Sequence, residues 1–259
     1  MKRRAVLRLT LAPLALGALA GGMTRLAARV PPVLVELFTS QGCNSCPPAD
    51  AFLGELARRP DVIALSMHVD YWNHLGWPDP FASPEATQRQ RAHAASLGSA
   101  YVYTPQMVID GRAHETGSAR ARVEALIERA RAERKFDLAP SLDAAGQIAL
   151  ALPDEASRGA VLTLALFDAK HTTEIKRGEN GGRRLDHYNV VRALRRVPVP
   201  DVLGAGGART LVLPVSEFDR RERSGAAVIL QHGDAGPVRG AAVIRFDGKR
   251  ASLSPPAAV

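Results

Sequence analysis

Much common catalytic apparatus is missing from this chain. It contains no Gly-rich phosphate loop and no nucleophile elbow, so phosphoryl transfer on a P-loop and hydrolysis by an elbow serine both lack their signatures. No repeat or low-complexity tract stands out, and His and Met form no dense cluster of the kind that binds copper. Beyond the first twenty residues no segment approaches ~20 uninterrupted apolar residues, so no membrane span is expected in a mature chain. A large charge excess is missing too. The chain carries 34 Lys+Arg against 26 Asp+Glu, but Lys2, Arg3, Arg4 and Arg8 lie within residues 1–20, which hold no acid. Without them 30 cations face 26 acids. The remaining cations, nearly all Arg, are scattered, and stretches such as Arg120 to Lys135 read as solvated helical faces. Nucleic-acid binding is therefore not expected.

What residues 1–20 do contain is an export pattern. A basic start is followed by the apolar stretch Leu9 to Leu19 and the small-residue triplet Ala18-Leu19-Ala20, with an apolar core too short to cross a bilayer. The Arg3-Arg4 pair leaves both the general secretory and the twin-arginine routes open. The expected location is periplasmic or secreted, where disulfides persist.

Cysteine occurs only twice, as Cys43-Asn44-Ser45-Cys46-Pro47-Pro48, between an apolar run and a helical pattern. Two thiols separated by two residues at a strand-to-helix junction are the minimal apparatus for making or breaking a disulfide. If the helix starts around Cys43 or Asn44, the free N–H groups of Asn44, Ser45 and Cys46 can point at the Cys43 sulfur and favour its thiolate. Pro47 and Pro48 supply no N–H, so this stabilisation is concentrated on the first sulfur. Cys43 is then the exposed nucleophile and Cys46 the shielded, resolving thiol. Glu36 interrupts the apolar run Val33–Phe38, and two readings of it stand. It lies beneath the Cys pair as a buried acid of raised pKa that shuttles a proton to Cys46, or strand alternation places it in water.

About 239 mature residues suggest two units, and the texture changes near Pro140. Before it, strands are expected at Val33–Phe38, Val62–Val69 and Gln106–Asp110, with helices from Pro47 to Arg59 and from Pro84 to about Leu97. Ser83 reads as an N-cap, Asp110-Gly111 as a turn returning through Ala113–Thr116, and Ser118 as the cap of a third helix bearing Val123, Leu126, Ile127 and Ala130. Strands alternating with helices imply a central sheet covered by helices. After Pro140, short apolar runs at Gln147–Leu152, Val161–Phe167, Thr210–Val215, Ala226–Gln231 and Ala241–Phe246 suit an antiparallel sandwich, with Asp186 to Arg196 either a strand or a short helix.

The order apolar strand with acid, C-x-x-C, helix, then Tyr103-Thr-Pro-Gln-Met-Val-Ile-Asp-Gly111 resembles the thioredoxin superfamily. A narrower resemblance is to an exported bacterial family catalogued as domain of unknown function 1223. It is carried by Glu36-Leu-Phe-Thr-Ser-Gln-Gly-Cys-x-x-Cys-Pro-Pro-Ala-Asp50, His68-Val-Asp-Tyr-Trp72 with Gly76-Trp77, Tyr103-Thr-Pro-Gln106, Arg177-Gly-Glu-Asn180 and Asn189-Val-Val-Arg192. The resemblance implies an α/β fold: a thioredoxin-like domain over residues 31–137 with an inserted loop/helix segment, then a smaller, mainly antiparallel β domain over 140–259. It also implies a cis Thr104-Pro105 bond facing the cysteines, with the Thr104 backbone available to an extended substrate.

The insertion centres on residues 68–77 and begins at the C-terminal end of a strand, where open α/β sheets usually bind ligands. Tyr71, Trp72 and Trp77 are candidate substrate anchors, or else aromatics that cover the sheet. The expected activity is thiol-disulfide exchange with protein thiols or disulfides and a redox partner protein, requiring no cofactor. The Asn44-Ser45 dipeptide supplies no His or cation, so a middling potential is expected. Two alternatives remain: a copper or zinc site built from Cys43, Cys46 and His68, with His74 or His93 as further donors, and a purely structural disulfide.

Overall fold

The computed structural model describes residues 30–142, 147–199, 209–213, 215–216, 222–247 and 250–252. The export pattern at residues 1–20 lies outside them.

Strand β1 (Val33–Thr39) is buried along its whole length because both its faces are covered. Val33, Val35 and Leu37 pack with Phe52, Leu53 and Leu56 of helix α1 (Pro47–Leu56), while Leu34 and Phe38 point to the opposite face. Each large apolar side chain so buried contributes roughly 1.5–3 kcal/mol. Strand β2 (Val62–His68) runs parallel to β1, then a 3₁₀ turn (Asn73–Leu75) leads to helix α2 (Pro84–Ser96). The Ser83 cap forms as expected, its hydroxyl accepting from the Ala86 N–H at 3.1 Å. Strands β3 (Gln106–Ile109) and β4 (Ala113–Thr116) form the expected hairpin, with Asp110 and Gly111 both at positive φ (47° and 60°). Helix α3 (Arg120–Arg131) buries Val123, Ile127 and Ala130. Its N-cap is Ala119 rather than Ser118, and no side chain caps it.

The remaining strands are β5 (Ser141–Leu142), β6 (Ile148–Leu152), β7 (Ala160–Glu174), β8 (Arg184–Pro198), β9 (Arg209–Leu213), β10 (Gly225–His232), β11 (Val238–Asp247) and β12 (Arg250–Ser252). The Asp186–Arg196 segment is therefore strand. Its hairpin with β7 is longer than the apolar run suggests, because polar residues 168–174 continue the ladder.

Five strands of the second half, β7, β8 and β10–β12, join the sheet of the first half. Strand β8 lies parallel to β2, paired at Ser66 and Val190, and one nine-stranded sheet results in the order β12-β11-β10-β7-β8-β2-β1-β3-β4. At this seam Asn189 adopts φ 46°, a region asparagine tolerates, and its Nδ2 donates to the Ala64 carbonyl at 2.9 Å. A side chain thus supplies a bond that the irregular backbone cannot. The three-stranded sheet β5-β6-β9 packs on the far half of the large sheet, with Leu150, Leu152, Leu162, Leu164, Val228 and Leu230 in the core between them.

Candidate functional site

Three chain segments meet at the C-terminal edge of β1 and β2: the turn carrying the cysteines, the 68–83 connection, and the Thr104-Pro105 approach to β3. The Thr104-Pro105 bond is cis. Cys43 and Cys46 form a disulfide with Cα atoms 5.4 Å apart.

The structure corrects the expected exposure of Cys43. Cys43 and Cys46 are both fully buried, whereas Asn44 and Ser45 between them are exposed. The helix begins at Pro47 with Cys46 as N-cap, three residues later than the anion-site argument requires. Its early donors are engaged elsewhere: the Cys46 N–H donates to the Cys43 carbonyl at 3.3 Å and the Asn44 N–H to Glu179 Oε2 at 3.3 Å. The polar atom near the Cys43 sulfur is Ser45 Oγ, at 3.4 Å.

The tip of the β7–β8 hairpin, residues 175–183, bonds to the backbone of the cysteine turn. Asn180 is buried there and uses its whole carboxamide. Nδ2 donates to the carbonyls of Gln41 and Cys43 at 2.9 Å each, and Oδ1 accepts from Arg183 at 2.9 Å. Gln41, buried next to the turn, donates to Thr173 Oγ1 at 3.0 Å and accepts from Trp77 Nε1 at 2.9 Å. At Gly178 (φ 77°) an added Cβ would lie 3.1 Å from the Trp77 Cβ, so the hairpin tip rests on that tryptophan. The Arg177-Gly-Glu-Asn180 segment, a loop by composition, is thus placed over the cysteine turn.

The 68–77 segment lies beside the site. Trp72 Nε1 donates to Thr104 Oγ1 at 2.8 Å, and Trp72 packs at Gly42, where an added Cβ would stand 3.3 Å from its Cβ. The Tyr71 hydroxyl donates to Gln90 at 3.1 Å. All three aromatics are partly buried, and their polar atoms bond within the protein. His68 is fully buried, its Nδ1 2.7 Å from Asp79 Oδ2. Asp79 is held below the usual carboxylate range. Burial opposes this, but the His68 charge and bond and the backbone N–H groups of Gln41 and Phe81 outweigh it. Among the described residues no group of three or more His, Cys, Asp or Glu is arranged to hold a metal ion. His74 is exposed with Nδ1 2.9 Å from the Tyr71 carbonyl, and His93 lies on α2 with Nε2 3.0 Å from Glu36.

Glu36 is buried, as one reading expects, but it holds no proton to give. It faces α2, with Leu34 and Phe38, and Arg89 grips it through two bonds of 2.5 and 2.9 Å while His93 closes on the second oxygen. Burial alone would raise its pKa; the charges and hydrogen bonds of Arg89 and His93 prevail and lower it to about 2. The sequence reading missed Arg89 because a cation on a polar helical face looks solvated. It also missed Asp50 and His187, buried together at 3.6 Å where β8 crosses α1. A signal for Asp50 was available: it stands four residues after Cys46, on the same helical face.

These features define a mixed α/β protein with a buried C-x-x-C disulfide at a helix start, roofed by a strand hairpin. The chain belongs to the family described as Protein of unknown function (DUF1223), which matches residues 34–231. No curated protein matches the chain. It is similar to a structural-genomics crystal structure of an Agrobacterium tumefaciens protein, with 32% identity, TM-score 0.70, and coverage of 88% of this chain and 99% of that one. HBP35 of Porphyromonas gingivalis is similar with TM-score 0.51 and 15% identity, covering 84% of this chain and 76% of that one, a likeness of fold alone. Among the described residues no helix is long and apolar enough to cross a membrane.

Proposed function

We propose that this protein is an exported thiol-disulfide oxidoreductase built on a thioredoxin-like core, β1-α1-β2-α2-β3-β4-α3. The observation that carries the reading is the disulfide itself. It closes the turn that leads into α1, at the end of the parallel pair β1–β2, with the Thr104-Pro105 segment tied into the same edge by Trp72. A disulfide spanning two residues contributes little loop-closure entropy compared with one linking distant segments, so its placement is better explained by chemistry than by stapling.

In the reaction, a thiolate of a protein partner attacks Cys43, Cys46 leaves, and a mixed disulfide forms; attack on the mixed disulfide by a second thiolate releases the partner. The compartment is outside the cytoplasm, as the basic and apolar pattern of residues 1–20 suggests. Access requires the hairpin tip at Asn180 to shift, since neither sulfur is exposed in the oxidised form.

The test is redox titration of the full mature chain in glutathione buffers, together with the Cys46→Ala variant mixed with a reducible protein disulfide. A reversible couple between the thioredoxin and protein-disulfide-isomerase values, roughly −270 to −180 mV, is expected, with a trapped intermediate on Cys43. A disulfide that stays closed below about −300 mV would identify a structural link and overturn the proposal.

A further inference from the structure

The geometry points to the Asp50–His187 pair as the internal acid–base partner of Cys46, which protonates that sulfur when the disulfide opens and takes the proton back when it closes. This rests on the redox reading above. It assigns proton handling to Asp50, to which the resemblance gave no role, and to His187, which lies outside its motifs.

Cys46 already has helical dihedrals (φ −78°, ψ −35°), and the Asp50 N–H donates to the Cys46 carbonyl at 3.1 Å. The two residues are therefore one helical turn apart, and their side chains share a face with Cβ atoms about 5–6 Å apart. Asp50 is 3% exposed, and neither of its carboxylate oxygens has a hydrogen-bond partner. A buried carboxylate left in that state is costly unless a charge compensates it. The compensating group is the imidazole of His187, fully buried on β8 with Nδ1 3.6 Å from Asp50 Oδ1, an ion-pair separation rather than a hydrogen bond. Neither nitrogen of His187 is otherwise satisfied.

Other elements close the pocket around it. His68 of β2 stacks edge-on, with ring centroids 4.7 Å apart, and is itself held by Asp79. Phe81 packs at 6.1 Å, and His171 is the cross-strand neighbour on β7. Burial disfavours the charged imidazole, but Asp50 first, then Asp79 and the adjacent Asp186, raise its affinity for a proton. A proton is thus stored one turn from a sulfur that must become a thiol. Glu36, locked to Arg89, is not a source of one.

The step balances as follows. One thiolate of a substrate dithiol bonds to Cys43 Sγ, the Cys43–Cys46 bond breaks, and its electron pair remains on Cys46 Sγ. That thiolate takes the proton held between Asp50 and His187. The second substrate thiolate then displaces Cys43, so the substrate leaves as a disulfide and the protein holds two thiols once the pair and Cys43 are reprotonated from solvent.

The decisive measurement is the titration of the lone Cys46 thiolate by its ultraviolet absorbance in the full mature chain carrying Cys43→Ser. Adding Asp50→Asn removes a nearby anion and should lower the Cys46 pKa by about one unit or more, whereas adding His187→Gln removes the cation and should raise it. Opposite shifts are not produced by loosened packing. If neither substitution moves the titration, or both move it the same way, the assignment is overturned. A second readout needs no substitution: the His187 ring resonances of the wild-type protein should titrate at different pH in the oxidised and reduced forms, and superimposable curves would also overturn it. Failure here with a reversible couple in the wild type condemns only this assignment. A wild-type disulfide that resists reduction condemns the redox reading.

Discussion

Arg89 of α2 reaches across the sheet face to Glu36 of β1, closing a two-pronged ion pair whose two partners are both buried. The same guanidinium also donates to Gln231 at 3.0 Å and to the Asp234 carbonyl at 3.2 Å, so one cation ties β1, which leads into the cysteine turn, to the end of β10 and the turn after it.

Glu36→Gln should destabilise the fold by about 3–5 kcal/mol, since it leaves Arg89 buried without its anion. The pH dependence has a definite sign. Glu36 has its folded pKa depressed to about 2 from 4.5, so its contribution is fully present above pH 4.5 and is lost as pH falls through about 2. Guanidinium unfolding at about pH 5 and about pH 2.5 should show that loss in the wild type, and Glu36→Gln should remove its share of the slope.

Asn180→Ala deletes three hydrogen bonds and takes the side-chain donor from the Gln41 carbonyl, while the Cys43 carbonyl keeps the Cys46 N–H. A loss of about 1–3 kcal/mol follows, confined to local opening of the tip. Reduction by a small dithiol should accelerate several-fold, while the equilibrium potential changes less. An unchanged reduction rate would show that residues 175–183 are not what limits access.

Glu179 places an anion on the Asn44 N–H. Replacing it with Gln keeps an acceptor for that donor but removes a charge that opposes a thiolate at Cys43. The reduction potential should therefore rise, by less than about 30 mV for an interaction at the surface. Titration in glutathione buffers decides it, and a fall in potential would contradict the electrostatic account.

At Gly54 an added Cβ would sit 2.5 Å from the Tyr188 ring. Alanine gains up to ~1 kcal/mol of helix propensity but forces apart α1 and β8, a cost of about 1–3 kcal/mol. The overpacking should win, lowering Tm by roughly 2–4 °C per kcal/mol for a chain this size. Tyr188→Leu in the same chain should recover part of the loss.

Local signals in the sequence were read well where neighbours in the chain decide the outcome. Ser83-Pro84 caps α2, Asp110-Gly111 turns the β3–β4 hairpin, and Phe52, Leu53 and Leu56 share one buried face. What failed depends on partners far away. The Cys43 carbonyl is bonded by Asn180, 137 residues later. The β2–β8 seam pairs Ser66 with Val190, and parallel pairing over such a separation leaves no periodicity of its own. Glu36 alternates out of an apolar strand in either reading; only Arg89 and His93, more than fifty residues on, decide its charge.

The seam at β2 also bears on modularity. Cutting the chain after α3, at the point where its texture changes, would strip β8 from β2 and expose a mainly apolar strand as a raw sheet margin, ready to zip onto another copy. A genetic fusion or truncation that isolates the cysteine-bearing half should therefore yield aggregates rather than a folded unit.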